Sequence, residues 1–259
     1  MASEERFKGA NTVLAGKLSP YWGEHAARYR FAWPYVDGRT VLDIACGTGY
    51  GIGLLKENAR FVVGVDVDLS AAKTAGSEVG KNSTVLLGDG LALPFADNSF
   101  DVITSFETLE HLHARQDFLL ELKRVLRPDG MLLLSTPNAL YTRPVDGKPT
   151  NPFHVFEYTP DELRSEIAPL FSIEKMLGQR LDTAVRISPF YIDQQRLPRT
   201  PAAQAMLLGW KVLNKLPFAI REGLSEAIWR KPFYPTEADY NFSDQIDLAP
   251  VQLVVCRPL

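Results

Sequence analysis

The residues most able to do chemistry lie in two short stretches. The first is Phe106-Glu107-Thr108-Leu109-Glu110-His111-Leu112-His113. If it opens a helix, Glu107, Glu110 and His111 fall at i, i+3 and i+4 and share one face. Two carboxylates and an imidazole on one face make a partial metal site, and the imidazole alone can serve as a base. The second stretch, Asn151-Pro152-Phe153-His154-Val155-Phe156-Glu157-Tyr158-Thr159-Pro160, offers a further donor in His154. His113 is off that face and reads as a surface residue. His25 lies on an N-terminal helix, where a solvent-facing side chain is the plainer account.

Both stretches follow apolar runs that must position them. Val41-Leu42-Asp43-Ile44 leads into Ala45-Cys46-Gly47-Thr48-Gly49-Tyr50-Gly51, a buried strand ending in an acidic residue and a Gly-rich turn. Glycine tolerates positive φ and close ligand approach, so the turn suits something held flat against the backbone. It lacks the Gly-Lys-Ser/Thr ending of a phosphate loop and the G-x-G-x-x-G order of a dinucleotide site. Phe61–Val65 ends at Asp66, about 20 residues on, where a carboxylate can take the hydroxyl pair of a ribose. Thr84–Gly88 ends at Asp89, placed for an adenine amino group. Phe100–Phe106 leads into Glu107, and Gly130–Ser135 follows the turn Arg127-Pro128-Asp129.

From roughly Gly23 to Pro137 this order resembles the class I S-adenosylmethionine (SAM)-dependent methyltransferases, the broad family that includes ubiquinone-pathway and sugar-modifying enzymes. The resemblance implies that Asp43, Gly47 and Gly49 frame the methionine end of SAM, that Asp66 binds its ribose and that Asp89 with Leu91 flanks its adenine; Ala45, Val67, Gly90 and Phe106 are the other cofactor-binding candidates. Ala45 departs from the pattern, where the family more often has Gly. Within the family, the Glu-x-x-Glu-His sequence and the His before Phe-Glu-Tyr-Thr look like metal-dependent sugar and small-RNA 2′-O-methyltransferases. That likeness implies Glu107, Glu110, His111 and His154 as ligands of Mg²⁺ or Mn²⁺, with His111, His154 and Glu107 catalytic. Glu-His after the fourth strand also occurs in metal-free relatives, where His111 acts as a base or merely packs.

The implied fold is α/β: a Rossmann-like, doubly wound, seven-stranded sheet. An N-terminal helical cover spans 1–38, the SAM-binding core 39–179, a helical substrate cap 180–248 and the last strand 249–259. The cap follows from the distance between the sixth run, Phe171–Leu177, and the seventh, Val251–Cys256. Roughly 70 residues separate them, too many for a simple loop. Helices are expected at 202–216 and 221–229. The insert's aromatics (Phe190, Tyr191, Trp210, Phe233, Tyr234, Tyr240, Phe242) suit a flat substrate, a sugar or the cap's own core; dimerisation is the other use of such an element. On the N-terminal helix, Tyr21, His25, Arg28 and Tyr29 are candidates for cofactor contact.

The chain has 259 residues, 46% hydrophobic, enough for a full core with an elaboration. Its net charge of −3 gives no footprint for nucleic acid. No apolar run reaches about 18 residues, which argues against a membrane span. The acidic start is unlike a secretory signal, and two cysteines suggest reduced thiols. The expectation is a cytoplasmic SAM-dependent O-methyltransferase acting on a sugar or glycan hydroxyl with a divalent metal. The alternative is a metal-independent methyltransferase of a quinone, polyketide or other small aromatic.

Overall fold

The computed structural model describes residues 22–144, 146–149, 151–182, 200–213 and 215–259. Tyr21, Phe190, Tyr191 and the Trp210 side chain, named above, lie outside the described residues. Helix α1 (Trp22–Val36) is followed by β1 (Thr40–Ile44), α2 (Tyr50–Leu55), β2 (Phe61–Asp66), α3 (Leu69–Ala75), β3 (Ser83–Leu87) and β4 (Phe100–Phe106). Then come α4 (Arg115–Val125), β5 (Leu126–Pro137), α5 (Ala139–Thr142), α6 (Pro160–Ile167) and β6 (Phe171–Leu181). Helices α7 (Pro201–Leu213) and α8 (Phe218–Trp229) precede β7 (Tyr240–Ser243) and β8 (Val251–Pro258).

The strands form one sheet in the order β3-β2-β1-β4-β5-β8-β6-β7. The first five run parallel, and β8 enters antiparallel between β5 and β6. Seven strands were expected. The eighth, Tyr240–Ser243, sits at the sheet edge and is only four residues long. Tyr240-Asn241-Phe242-Ser243 alternates aromatic and polar residues, but four residues are too few for a period-two signal to stand out. The turn expected at Arg127–Asp129 is absorbed into a 12-residue β5.

Each face of the sheet has its own core, as a sheet covered on both sides requires. Leu42, Ile103, Leu132, Leu134 and Val254 pack with Phe118, Leu119 and Leu122 of α4 and with Leu163 of α6. Their neighbours Val41, Val102, Leu133, Leu253 and Val255 pack with Tyr29, Ala32 and Val36 of α1 and Ile52 of α2 on the other side. All seven residues of β4 are buried, placing it between two covered faces. Both cysteines are free and buried.

The chain divides into two compact units. Of the described residues, one comprises Arg28–Arg180 with Phe242–Leu259, and the second includes 22–27, 181–182, 200–213 and 215–241. In the second, Phe233 and Tyr234 form a small core with Leu213 and Phe218. Among the described residues, no helix is long and apolar enough to cross a membrane.

Candidate active site

The site begins where β1, β2 and β4 end level, with Asp43 opposite Gly64 and Thr104. Asp43 is fully buried and accepts hydrogen bonds from Thr104 Oγ1 (2.7 Å) and Tyr29 Oη (3.2 Å). Burial pushes its carboxyl up to about 7 against those two hydrogen bonds, which lower it. The turn after it needs left-handed backbone at Ala45 (φ 56°), Gly47 (φ 56°) and Gly49 (φ 85°). Asp66, at the end of β2, braces that turn: its Oδ2 accepts from Gly47 N at 2.8 Å and its Oδ1 from Asp68 N at 2.8 Å.

The two glycines do different work. A Cβ on Gly49 would meet the Cβ of Ala75 at 2.7 Å, so this glycine lets α3 close on the turn. A Cβ on Gly47 would meet no atom within 4 Å, which leaves an open cradle beside the strand ends. Asp89 shapes the next loop by accepting from Leu91 N (3.0 Å), and Gly90 packs on Phe118. Val67 and Leu91 are exposed apolar residues on these loops. Such a cradle, flanked by carboxylates and exposed apolar side chains, fits SAM. Phe106 is buried and meets Tyr29 edge-on at 5.0 Å. Arg28, fully buried in α1, donates to Gln179 Oε1 at 2.9 Å; burial pushes the Tyr29 and Tyr50 hydroxyls well up, and the Arg28 charge opposes that rise only in part. His25 is half-buried and His113 exposed.

Beyond β4 the backbone departs from the expected helix. Glu107 is left-handed (φ 55°), and only a 3₁₀ turn, Leu109–His111, follows. The three acidic and imidazole groups therefore do not share a helical face. Glu107 Oε1 accepts from Ser135 Oγ at 2.7 Å. Glu110 instead turns inward, 1% exposed, its Oε2 accepting from Thr136 Oγ1 at 3.0 Å and its Oε1 buried with no hydrogen bond. Burial first, then the charge of Glu107, push the Glu110 carboxyl well above its usual range. The backbone carbonyl of Glu110 fastens the later loop, accepting from Val155 N (2.7 Å) and Phe156 N (3.2 Å).

That fastening brings His154 to the site. Glu110, His111 and His154 each present one donor atom, all within 4.8 Å of one another. The two imidazoles meet edge-on at 4.9 Å, and His111 Nε2 lies 3.8 Å from Glu110 Oε1. Glu107 is not in this group. A buried carboxylate with one oxygen free of hydrogen bonds, grouped with two imidazoles, is a fit for a divalent cation. Sequence reasoning passed over the supports of His154: Glu157, Thr142 and Asn151. Only the i, i+3 spacing of His154 and Glu157 hinted at one of them.

Residues 42–134 match the family described as "Methyltransferase domain". A probable S-adenosylmethionine-dependent methyltransferase of Mycobacterium tuberculosis (strain H37Rv) is 37% identical over 158 residues, 61% of this chain and 57% of that protein. A demethylmenaquinone methyltransferase of Corynebacterium kroppenstedtii is 35% identical over 136 residues, 51% of this chain and 57% of the relative. The chain thus spans little more than half the length of these relatives. A Thermotoga maritima structure titled a SAM-dependent methyltransferase, possible histamine N-methyltransferase, superposes with a TM-score of 0.60 at 12% identity, covering 97% of each chain. At that identity the likeness speaks for the fold alone. The fold and strand-end carboxylates define a cofactor-binding α/β protein of the doubly wound type. More particularly, the chain carries a class I S-adenosylmethionine-dependent methyltransferase domain.

Proposed function

We propose that this protein transfers the methyl group of SAM to a hydroxyl of a sugar or glycan, with a divalent cation held by Glu110, His111 and His154. The observation that carries this reading is the buried Glu110 carboxylate, its Oε1 without a hydrogen bond, in one donor group with His111 and His154. Asp43, Asp66, Asp89 and the Gly47 cradle bind and orient SAM. A cation held there supplies acidity and orientation to the acceptor hydroxyl. One carboxylate oxygen and two imidazole nitrogens favour Mn²⁺ or Zn²⁺ over Mg²⁺. Glu107, half-buried and outside the donor group, is the base that receives the hydroxyl proton.

The test is calorimetric titration of Mn²⁺ into protein loaded with S-adenosylhomocysteine. Specific binding that disappears in Glu110→Gln and His154→Ala is the expected result. Methylation of sugar acceptors should stop in a strong chelator and return with Mn²⁺. Full activity in the chelator rules this reading out.

A second reading is metal-independent methylation of a quinone or other small aromatic. The name of the Corynebacterium kroppenstedtii relative favours it. So does the Asn151 amide, which stands 2.9 Å from His154 Nε2, where a cation would bind. Here the acceptor proton passes to an imidazole, and turnover survives chelation but is lost in His111→Ala.

A further inference from the structure

We infer that Glu157, aligned by Thr142, is a positioning residue that fixes His154 in its Nδ1–H tautomer and so presents the Nε2 lone pair to the Glu110–His111 group. The inference rests on that group being the working site, as proposed above. A neutral imidazole has one N–H and one lone pair, and its partners decide which nitrogen carries which. His154 Nδ1 lies 2.6 Å from Glu157 Oε1. Glu157 is almost fully buried, and Thr142 Oγ1 donates to its other oxygen, Oε2. Thr142 already donates to Oε2 and a carboxylate oxygen accepts, so the proton on the Nδ1–Oε1 contact belongs to the imidazole.

The far side of the ring reports the same tautomer independently. Asn151 Oδ1 accepts from Phe153 N at 3.2 Å, which fixes the sense of the amide. Its Nδ2 therefore points at His154 Nε2, 2.9 Å away, and donates to it. A nitrogen that accepts a hydrogen bond carries the lone pair. Asn151 thus holds the working end of His154 and must release it when a ligand arrives.

The same loop treats the other imidazole alike. His111 Nδ1 lies 3.1 Å from the carbonyl oxygen of Phe153, another group that only accepts. Its Nε2 is left facing Glu110 Oε1. Residues 153 and 157 thus set both tautomers, and the carbonyl of Glu110 anchors the stretch between them. Imidazoles that hold metals generally have their second nitrogen tied in this way, and a base needs the same control.

The experiment is a long-range ¹H–¹⁵N spectrum of the histidines in the full chain, loaded with S-adenosylhomocysteine in alkaline buffer, with His154→Gln to assign the signals. Wild type should show His154 protonated at Nδ1 and bare at Nε2. Glu157→Gln keeps an acceptor and should preserve that pattern, whereas Glu157→Ala and Thr142→Val should mix the tautomers. Thr142→Val leaves the buried carboxylate in place, so it answers the question even if Glu157→Ala fails to fold. Mn²⁺ affinity, measured beside it, should fall about 10- to 100-fold in Glu157→Ala. An Nε2–H tautomer in wild type, or an unchanged pattern in both Glu157→Ala and Thr142→Val, overturns the inference. If the tautomers shift as expected while His154→Gln turns over at the full rate, the positioning role falls with the proposed function, and the hydrogen-bond geometry of Glu157 still stands.

Discussion

Asp43 shows most clearly how burial turns a side chain into an instrument. Its ordinary pKa of 3.8 becomes about 7 in the folded chain. Between those values the folded state holds the proton that the unfolded chain has released, so stability falls as pH rises across the window and levels off above about 7. Each pH unit in the window is worth up to about 1.4 kcal/mol from this one group. Thermal unfolding from about pH 4 to 8 should therefore be flatter in Asp43→Asn than in wild type. Affinity for S-adenosylhomocysteine should weaken toward tenfold per unit below about pH 7, and that dependence should vanish in the variant; calorimetry measures it directly. Asp43, Asp66 and Asp89 were legible in the sequence because each ends an apolar run. Glu110 was legible as a donor, but its neighbour Glu107 was misplaced, since spacing cannot reveal that one left-handed residue interrupts a helix. Glu157, Thr142 and Asn151 escaped notice because they act on His154 through a loop whose path no periodicity encodes.

At the level of elements, the cofactor turn is held by two kinds of constraint that mutation can separate. Gly49 must stay small because α3 presses on it, and an alanine there would put its methyl 2.7 Å from Ala75 at a φ of 85°. Overpacking of this kind destabilises by about 1–3 kcal/mol, so Gly49→Ala should lower the melting temperature even without ligand. Gly47→Ala has room and meets only the strain of positive φ, about 1–2 kcal/mol. Its larger effect should be on binding, because the new methyl enters the cradle; S-adenosylhomocysteine affinity should fall by tenfold or more. Melting and titration of the two variants side by side separate structure from ligand contact. A second check concerns α6, whose Thr159 and Glu162 form a capping box immediately after Tyr158. Thr159→Ala should destabilise by about 1 kcal/mol. The parallel strands could be read ahead of the structure because burial on both faces makes them long apolar runs. The edge strand Tyr240–Ser243 could not, being short and paired in the sheet only at its margin.

On the scale of the whole molecule, the sequence reading set a cofactor-binding core apart from an inserted stretch, while the structure divides the chain into two units whose boundary also cuts α1 between Ala27 and Arg28. The insertion was visible only as an excess of length between two apolar runs, which says that something folds there without saying what it holds. The second unit has its own core. Phe233 is fully buried, its amide donates to Glu222 Oε2 at 2.7 Å, and the Arg221 guanidinium lies 5.0 Å from its ring. Removing such a ring usually destabilises by about 3–5 kcal/mol. The residues assigned to SAM all fall within Arg28–Arg180. Phe233→Ala should therefore lower the melting temperature yet bind S-adenosylhomocysteine within about twofold of wild type, since RT ln 2 is only about 0.4 kcal/mol and no assigned cofactor contact is touched. Titration of the variant beside wild type, with melting measured on the same preparations, makes the distinction. A cofactor affinity lowered more than tenfold would mean that the second unit helps to build the SAM site, and the assignment of cofactor binding to the first unit alone would fail.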